Sequence, residues 1–301
     1  MQQAYHVPVL LHEVIEGLQI VPSGVYVDCT FGGGGHSKKI LEKLDETGKL
    51  VVFDQDEDAK KNVPDDPRIL FVPHNFRHLQ RFLRFHKIFL VNGILADLGV
   101  SSHQINEAAR GFSTRFDALM DMRMNRNDSK TAAHVVQTYS EEMLQKIFEK
   151  YGEVSNSKTL AQKIVEARRS QPIETIKEFR NAIFPVVKGN PQKYLAQVFQ
   201  ALRIEVNDEL NVLKELLLQS VDVLAPGGRI AVITFHSLED RLVKTFFKNG
   251  NFEPEQQKDI FGNPVKSDLK VITKKPVIPS KEEQKQNPRS RSSKLRIAEK
   301  I

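Results

Sequence analysis

The sequence has little of what an exported or membrane-bound protein needs. Cysteine occurs once, at Cys29, among 301 residues. One thiol excludes an internal disulfide and cannot by itself build a thiolate metal centre, so a reducing cytoplasm is the expected setting. No run approaches the ~20 apolar residues that span a bilayer, and residues 1–11 lack a basic stretch followed by an apolar one. Neither membrane insertion nor secretion is expected. No His, Cys and carboxylate cluster shows metal-ligand spacing, so no metal requirement is expected either. What is present suits an ordinary globular chain: 40% hydrophobic and 27% charged residues exclude collagen-like and wholly disordered classes.

Charge is unevenly placed. The net charge is +6, yet residues 270–301 alone hold ten Lys/Arg against three Asp/Glu, leaving the remainder close to neutral. Residues 288–296 read Pro-Arg-Ser-Arg-Ser-Ser-Lys-Leu-Arg. On charge alone this is either a phosphate-facing arm or a solvated terminus.

Near-continuous apolar runs recur at 25–29, 50–53, 69–72, 94–98 and 229–235. Such runs predict strands buried on both faces, and the helical spacings between them predict a doubly wound, mostly parallel α/β sheet. Residues 131–206 carry helical spacing without comparable strands, with Thr175 and Glu178 placed as a capping box and Pro185 as a stop. The expected organisation is a discontinuous α/β domain, 1–104 and 212–301, with a basic C-terminal arm from about 270 and an inserted all-helical domain at 105–211. A helix is expected over 207–224, ended by Pro226-Gly227-Gly228.

In open α/β sheets the ligand lies beyond the carboxyl ends of the strands, where strand order reverses. The first strand runs through Asp28 into Gly32-Gly33-Gly34-Gly35-His36-Ser37. Glycines there let the backbone approach a ligand that a Cβ would repel. Ser37 occupies the position of the third glycine of a dinucleotide loop, and no Gly-Lys-Ser/Thr phosphate loop is present. The Asp28 carboxylate would repel a pyrophosphate and attract an ammonium, which points to S-adenosylmethionine. Asp54, ending the second strand, is placed to accept from ribose hydroxyls, unless it only caps the next helix; Asp56 is the better cap. Phe76 can stack on adenine or pack in the core. Asp97, ending the fourth strand, faces the crevice as methyl-acceptor contact or loop cap, and His236 after the fifth strand is a base, a substrate contact or a polar strand-end residue. A nicotinamide oxidoreductase lacks its third glycine here. A cofactor-free RNA-binding factor would leave the glycine run, Asp54 and Asp97 without a purpose.

These stretches, with His6 to Leu10, Ala96 to Ser102, Gln104, Arg110-Gly111-Phe112-Ser113, Asp121-Met122-Arg123-Met124, Phe199 to Ile204, Phe235 to Arg241 and Asn287 to Ser292, resemble one family closely: the bacterial 16S rRNA (cytosine-N4)-methyltransferases, RsmH or MraW. The resemblance implies a class I methyltransferase that methylates a cytidine in the decoding centre of the small ribosomal subunit. It also implies cofactor contacts at Gly34, Gly35, His36, Asp54, Phe76, Asp97 and Gln104. Asp97 and His236 are the expected catalytic residues. RNA contacts are expected at Arg110, Arg123, Arg289, Arg291 and Arg296, with Arg115 and Arg126 nearby. Oligomeric state, homodimer included, is not set by the sequence.

Overall fold

A computed structural model describes residues 8–255 and 267–301. His6 and Val7 lie outside the described residues. The chain forms two compact units: Met1–Gly99 with Asn211–Ile301, and Val100–Leu210.

In the first unit the apolar runs form strands β1 (Val25–Asp28), β2 (Lys49–Phe53), β3 (Ile69–Val72), β4 (Val91–Asp97) and β5 (Leu224–Thr234), all paired in parallel. β6 (Leu269–Val271) and β7 (Lys294–Lys300) complete a seven-stranded sheet of order β3-β2-β1-β4-β5-β7-β6, with β7 antiparallel to both neighbours. Helices α1 (Leu11–Leu18), α2 (Gly35–Leu41) and α3 (Leu79–Phe85) precede β4. Then come α4 (Ser102–Asn106), α5 (Ala132–Thr138), α6 (Glu141–Lys150), α7 (Ser157–Ser170), α8 (Ile176–Ile183) and α9 (Pro191–Asn207). Helix α10 (Glu209–Val223) leads into β5, α11 (Ser237–Asn249) succeeds it, and α12 (Lys281–Gln286) precedes β7.

Period-two alternation explains why both sheet faces are covered. Leu50, Val52, Leu95 and Ile233 pack with Val14 and Leu18 of α1 and Ile40 of α2. Their neighbours Val51, Phe53, Ile94 and Val232 pack on the opposite face with Leu79 of α3, Leu213 and Leu217 of α10, and Phe246 of α11. The result is a three-layer sandwich in which β1 sits between β2 and β4. Chain direction around the sheet reverses at that pair, so its carboxyl ends open the crevice. Asp28 pairs with Leu95, which carries Asp97 two residues further out than Asp28.

Three sequence expectations are corrected. The expected helix over 207–224 is α10, but it starts two residues later, at Glu209, because α9 runs to Asn207 and Asp208 takes a left-handed conformation (φ 52°) between them. Pro226-Gly227-Gly228 does not precede the strand but forms an irregularity inside it, because Leu224 already pairs with Val91 before pairing resumes at Gly93 and Arg229. The third concerns the basic arm. Two of its segments, β6 and β7, enter the sheet, and β7 lies between β5 and β6. Arg296, expected to face RNA, is buried and donates from Nε to Asp240 Oδ1 of α11 at 2.6 Å, while Lys294 reaches Asp240 Oδ2 at 3.1 Å. Burial alone would raise the Asp240 carboxyl; its two cationic partners outweigh that and hold it below the ordinary range.

The second unit has its own core, with Leu144 and Phe148 of α6, Leu160 and Ile164 of α7, Phe179 of α8, and Val198 and Leu202 of α9. Helices α5, α6, α8 and α9 start where local side chains cap them: Thr131, Ser140 and Asn190 each accept from a backbone N–H, and Thr175 with Glu178 makes the expected capping box. No helix among the described residues is long and apolar enough to cross a membrane.

Removing one partner of a buried ion pair leaves the other charge uncompensated. Asp240→Ala, which leaves the buried Arg296 without its anion, is expected to cost about 3 kcal/mol of stability in a urea titration. A loss below about 1 kcal/mol, the range of exposed pairs, would show that the pair does not hold α11 to β7.

Candidate active site

The glycine loop between β1 and α2 is shaped by positive backbone angles and held from both sides. Gly32 (φ 51°) and Gly34 (φ 74°) take conformations that side chains disfavour. A Cβ at Gly32 would meet only the Thr30 carbonyl, at 3.9 Å, so that face is open; one at Gly34 would lie 3.0 Å from the Phe31 ring. On the β2 side, Asp54 Oδ2 accepts from Gly32 N at 2.7 Å and Oδ1 accepts from Asp56 N at 2.8 Å, while Asn62 donates to Gly32 O at 2.9 Å. Burial raises the Asp54 carboxyl to about 6 against these stabilising N–H bonds. Each Asp54 oxygen retains a further lone pair for a ligand hydroxyl. Asp56 caps the short 3-10 turn Glu57–Asn62, as its position suggested.

On the β1 side, Asp28 is inward-facing: Oδ2 accepts from Ser37 Oγ at 2.7 Å and Oδ1 from Thr30 N at 3.0 Å. Burial nevertheless raises its carboxyl above the ordinary range. Thr30 ties the loop to β4, accepting at Oγ1 from Asp97 N at 2.7 Å. Thr30 did not stand out in the sequence, and Ser37 did so only as the residue that breaks a dinucleotide loop, since hydroxyls near a glycine loop carry no distinguishing pattern.

Asp97 ends β4 beside this loop. Its Oδ1 is buried with no hydrogen-bond partner among the described residues, and its Oδ2 stands 3.7 Å from His36 Nδ1. Burial, reinforced by the charges of Asp28 and Glu239, pushes this carboxyl well above the usual range. His36 lies in the first turn of α2, is 6% exposed, and bonds through Nε2 to the Val9 carbonyl at 2.9 Å. Burial pushes its imidazole down.

The remaining expected residues fall in several places. Phe76 opens the 3-10 turn Phe76–His78 after β3, partly buried against the α3 face. The adjacent Asn75 bonds Gln55 at 2.9 Å, joining the loops after β2 and β3. His236 caps α11, its Nδ1 accepting from Glu239 N at 3.4 Å, while Glu239 accepts from Phe235 N at 2.8 Å. The sequence had offered His236 as a base, a substrate contact or a polar strand-end residue. Gln104 belongs to the second unit, buried in a capping box with Ser101.

Arg110 and Arg123, also in that unit, are used internally. Arg110 is 1% exposed and donates to the Arg123 and Met124 carbonyls at 2.9 and 3.0 Å, so its expected RNA contact is corrected. Arg123 makes a two-pronged bond to Asp121 at 2.8 and 2.6 Å and donates to the Arg126 and Asp128 carbonyls. Arg291 is exposed and Arg289 half-buried.

S-adenosylmethionine fits these groups. The open glycine face accepts a close ligand, the surrounding carboxylates suit a cation rather than a phosphate, and Asp97 Oδ1, at the end of β4, is a buried acceptor without a hydrogen-bond partner among the described residues. The sheet order with its antiparallel β7, together with this crevice, defines a class I methyltransferase dependent on S-adenosylmethionine.

The chain belongs to the MraW methylase family, whose model matches residues 3–301. It is 55% identical to the Ribosomal RNA small subunit methyltransferase H of Parabacteroides distasonis over 99% of this chain and 98% of that protein. It is 54% identical to the protein of the same name from Bacteroides thetaiotaomicron over 98% and 97%. Among solved structures, an rRNA methylase from Streptococcus thermophilus aligns over 98% of this chain and 99% of that one at 10% identity, with a TM-score of 0.44.

Gly34→Ala should cost about 1–2 kcal/mol, from left-handed strain together with the approach to Phe31. Chemical denaturation checks it, and an unchanged midpoint would mean that the loop relaxes around a Cβ.

Proposed function

We propose that this protein methylates the exocyclic N4 of one cytidine in 16S rRNA, at the decoding centre of the small ribosomal subunit. The observation that carries the reading is the buried, unpartnered Asp97 Oδ1 at the crevice. An acceptor in that place suits a substrate that presents N–H groups, as an exocyclic amine does. The names of the close relatives supply the ribosomal context.

Residues assigned to hold S-adenosylmethionine are the loop backbone at Gly34 and Gly35, Asp54 for the ribose hydroxyls, Phe76 beside the adenine, and Asp97 and Gln104 from the family pattern. Bound there, it supplies an electrophilic methyl group carried on a sulfonium. The N4 lone pair is delocalised into the cytosine ring, so catalysis rests on alignment and on an acceptor. Asp97 Oδ1 orients the amino group by accepting one N–H, stabilises the positive charge that develops on N4 as it gains a substituent, and accepts the proton that N4 sheds. His236, held by Glu239 as a helix cap, supports the end of β5 in this reading. The helical unit is assigned to substrate recognition, with exposed Arg115 and Arg126. Exposed Arg291 is assigned to phosphate contact in the cytoplasm, where the substrate is found.

Incubation with methyl-labelled cofactor and small-subunit RNA is expected to place the label on N4 of one cytidine, located by nuclease mapping and mass spectrometry. Label on another atom, or on protein only, would overturn the assignment. Asp97→Ala should lower turnover by about 10²–10⁴-fold.

The Asp54 carboxyl accepts from a ribose best when ionised, and its pKa lies at about 6. Affinity for S-adenosylhomocysteine should therefore be level above neutrality and fall about tenfold per unit at pH values well below 6. The same raised value means that this group favours the folded state below its unfolded pKa and withdraws that support as pH rises through about 6. Calorimetry across pH 5–8 measures the affinity change; a flat profile would remove Asp54 from the ribose site.

A further inference from the structure

His36 stands in the glycine loop's helix, where a backbone contact to cofactor would explain it without any use for the imidazole. The side chain is nevertheless specifically placed. It is 6% exposed, reaches the Val9 carbonyl through Nε2 at 2.9 Å, and directs Nδ1 at Asp97 Oδ2, 3.7 Å away. A carbonyl can only accept, so Nε2 carries a hydrogen. The nitrogen facing Asp97 is then the one that gains or loses a proton.

We propose that His36 is a positioning residue for Asp97: its Nδ1 holds the proton that would otherwise sit on the Asp97 carboxyl, leaving Oδ1 ionised and open to the substrate's amino N–H. This rests on the assignment of Asp97 to the acceptor amine. The pair works as a unit because burial opposes charge on either partner alone, raising Asp97 and lowering His36. A carboxylate beside an imidazolium keeps one proton and no net charge between them. The other ionisable groups acting on the pair are Asp28 at the end of β1, which favours a charged imidazole and opposes a charged Asp97, and Glu239 of α11, which also opposes it. Burial and the charge of Asp28 also push up Asp54 and Cys29, neither of which is among the groups acting on the pair. Asp28, Glu239 and burial all push Asp97 toward its neutral form, and His36 is the basic side chain beside it.

Without the imidazole, Asp97 titrates alone, its carboxyl raised by burial and by the charges of Asp28 and Glu239, and it ionises only at higher pH than in the intact pair. His36→Gln keeps a nitrogen donor for the Val9 carbonyl but removes the group at the Nδ1 position. His36→Asn keeps a donor near Nδ1 and loses the Val9 anchor.

The test measures turnover from pH 6 to 9 on small-subunit RNA, S-adenosylhomocysteine affinity by calorimetry, and the ring-nitrogen shifts of His36 by NMR. For His36→Gln, turnover at pH 6.5 should fall tenfold or more and recover toward wild type by pH 9, while any change in S-adenosylhomocysteine affinity should be the same at both pH values. His36→Asn, lacking a titrating group, should show the same displaced acid limb. With His36 intact, Asp97→Asn should move the His36 nitrogen titration. A His36→Gln profile parallel to wild type, a loss equal at every pH, or a His36 titration indifferent to Asp97→Asn would overturn the proposal. A wild-type protein that leaves cytidine N4 unmethylated would instead overturn the functional reading, and the NMR titration would still decide whether the two side chains share a proton.

Discussion

The structure depends on how carboxylates are kept at the mouth of a buried sheet. Asp28, Asp54 and Asp97 end three adjacent strands, and burial raises all three. Their mutual repulsion is met by neutral donors: Thr30 and Ser37 for Asp28, and the amides of Gly32 and Asp56 for Asp54. Such donors stabilise charge without cancelling it, so the crevice remains an electronegative place that a sulfonium and an ammonium complement. The same donors fix the glycine loop, which makes the electrostatics of the mouth inseparable from its shape.

Much of this was legible because the relevant constraints are local. β1 to β5 show as apolar runs since both their faces are buried, and the strand ends then place Asp54 and Asp97 by position alone. The capping box at Thr175 and Glu178 was equally visible, being satisfied within four residues. β7 was not. Its sequence, Lys294-Leu-Arg-Ile-Ala-Glu-Lys, carries charges that are neutralised by residues far away in sequence: Asp240 for Lys294 and Arg296, and Arg229 for Glu299. A buried cation reads as a solvated one until its partner is known.

Arg110 and His36 were legible in type but not in orientation. An arginine ahead of Gly-Phe-Ser looks available for phosphate, yet here its guanidinium holds up the backbone at Arg123 and Met124. His36 was placed in the loop by the family pattern, but the direction of its ring depends on the carbonyl of Val9. No spacing rule carries that information, because in both cases distant backbone sets where the side chain points.

The connection between β4 and β5 bears on how the chain assembles. These neighbours in the sheet are separated in sequence by the entire helical unit. Joining them directly from a disordered chain would carry a large entropic cost of closure and invite premature edge pairing along β4. Because the intervening helices bury a core of their own, they can condense independently of the sheet and shorten the slack between the two strands. The excursion thus becomes a folded spacer, and late sheet closure, rather than helix formation, is the step expected to limit the rate of folding.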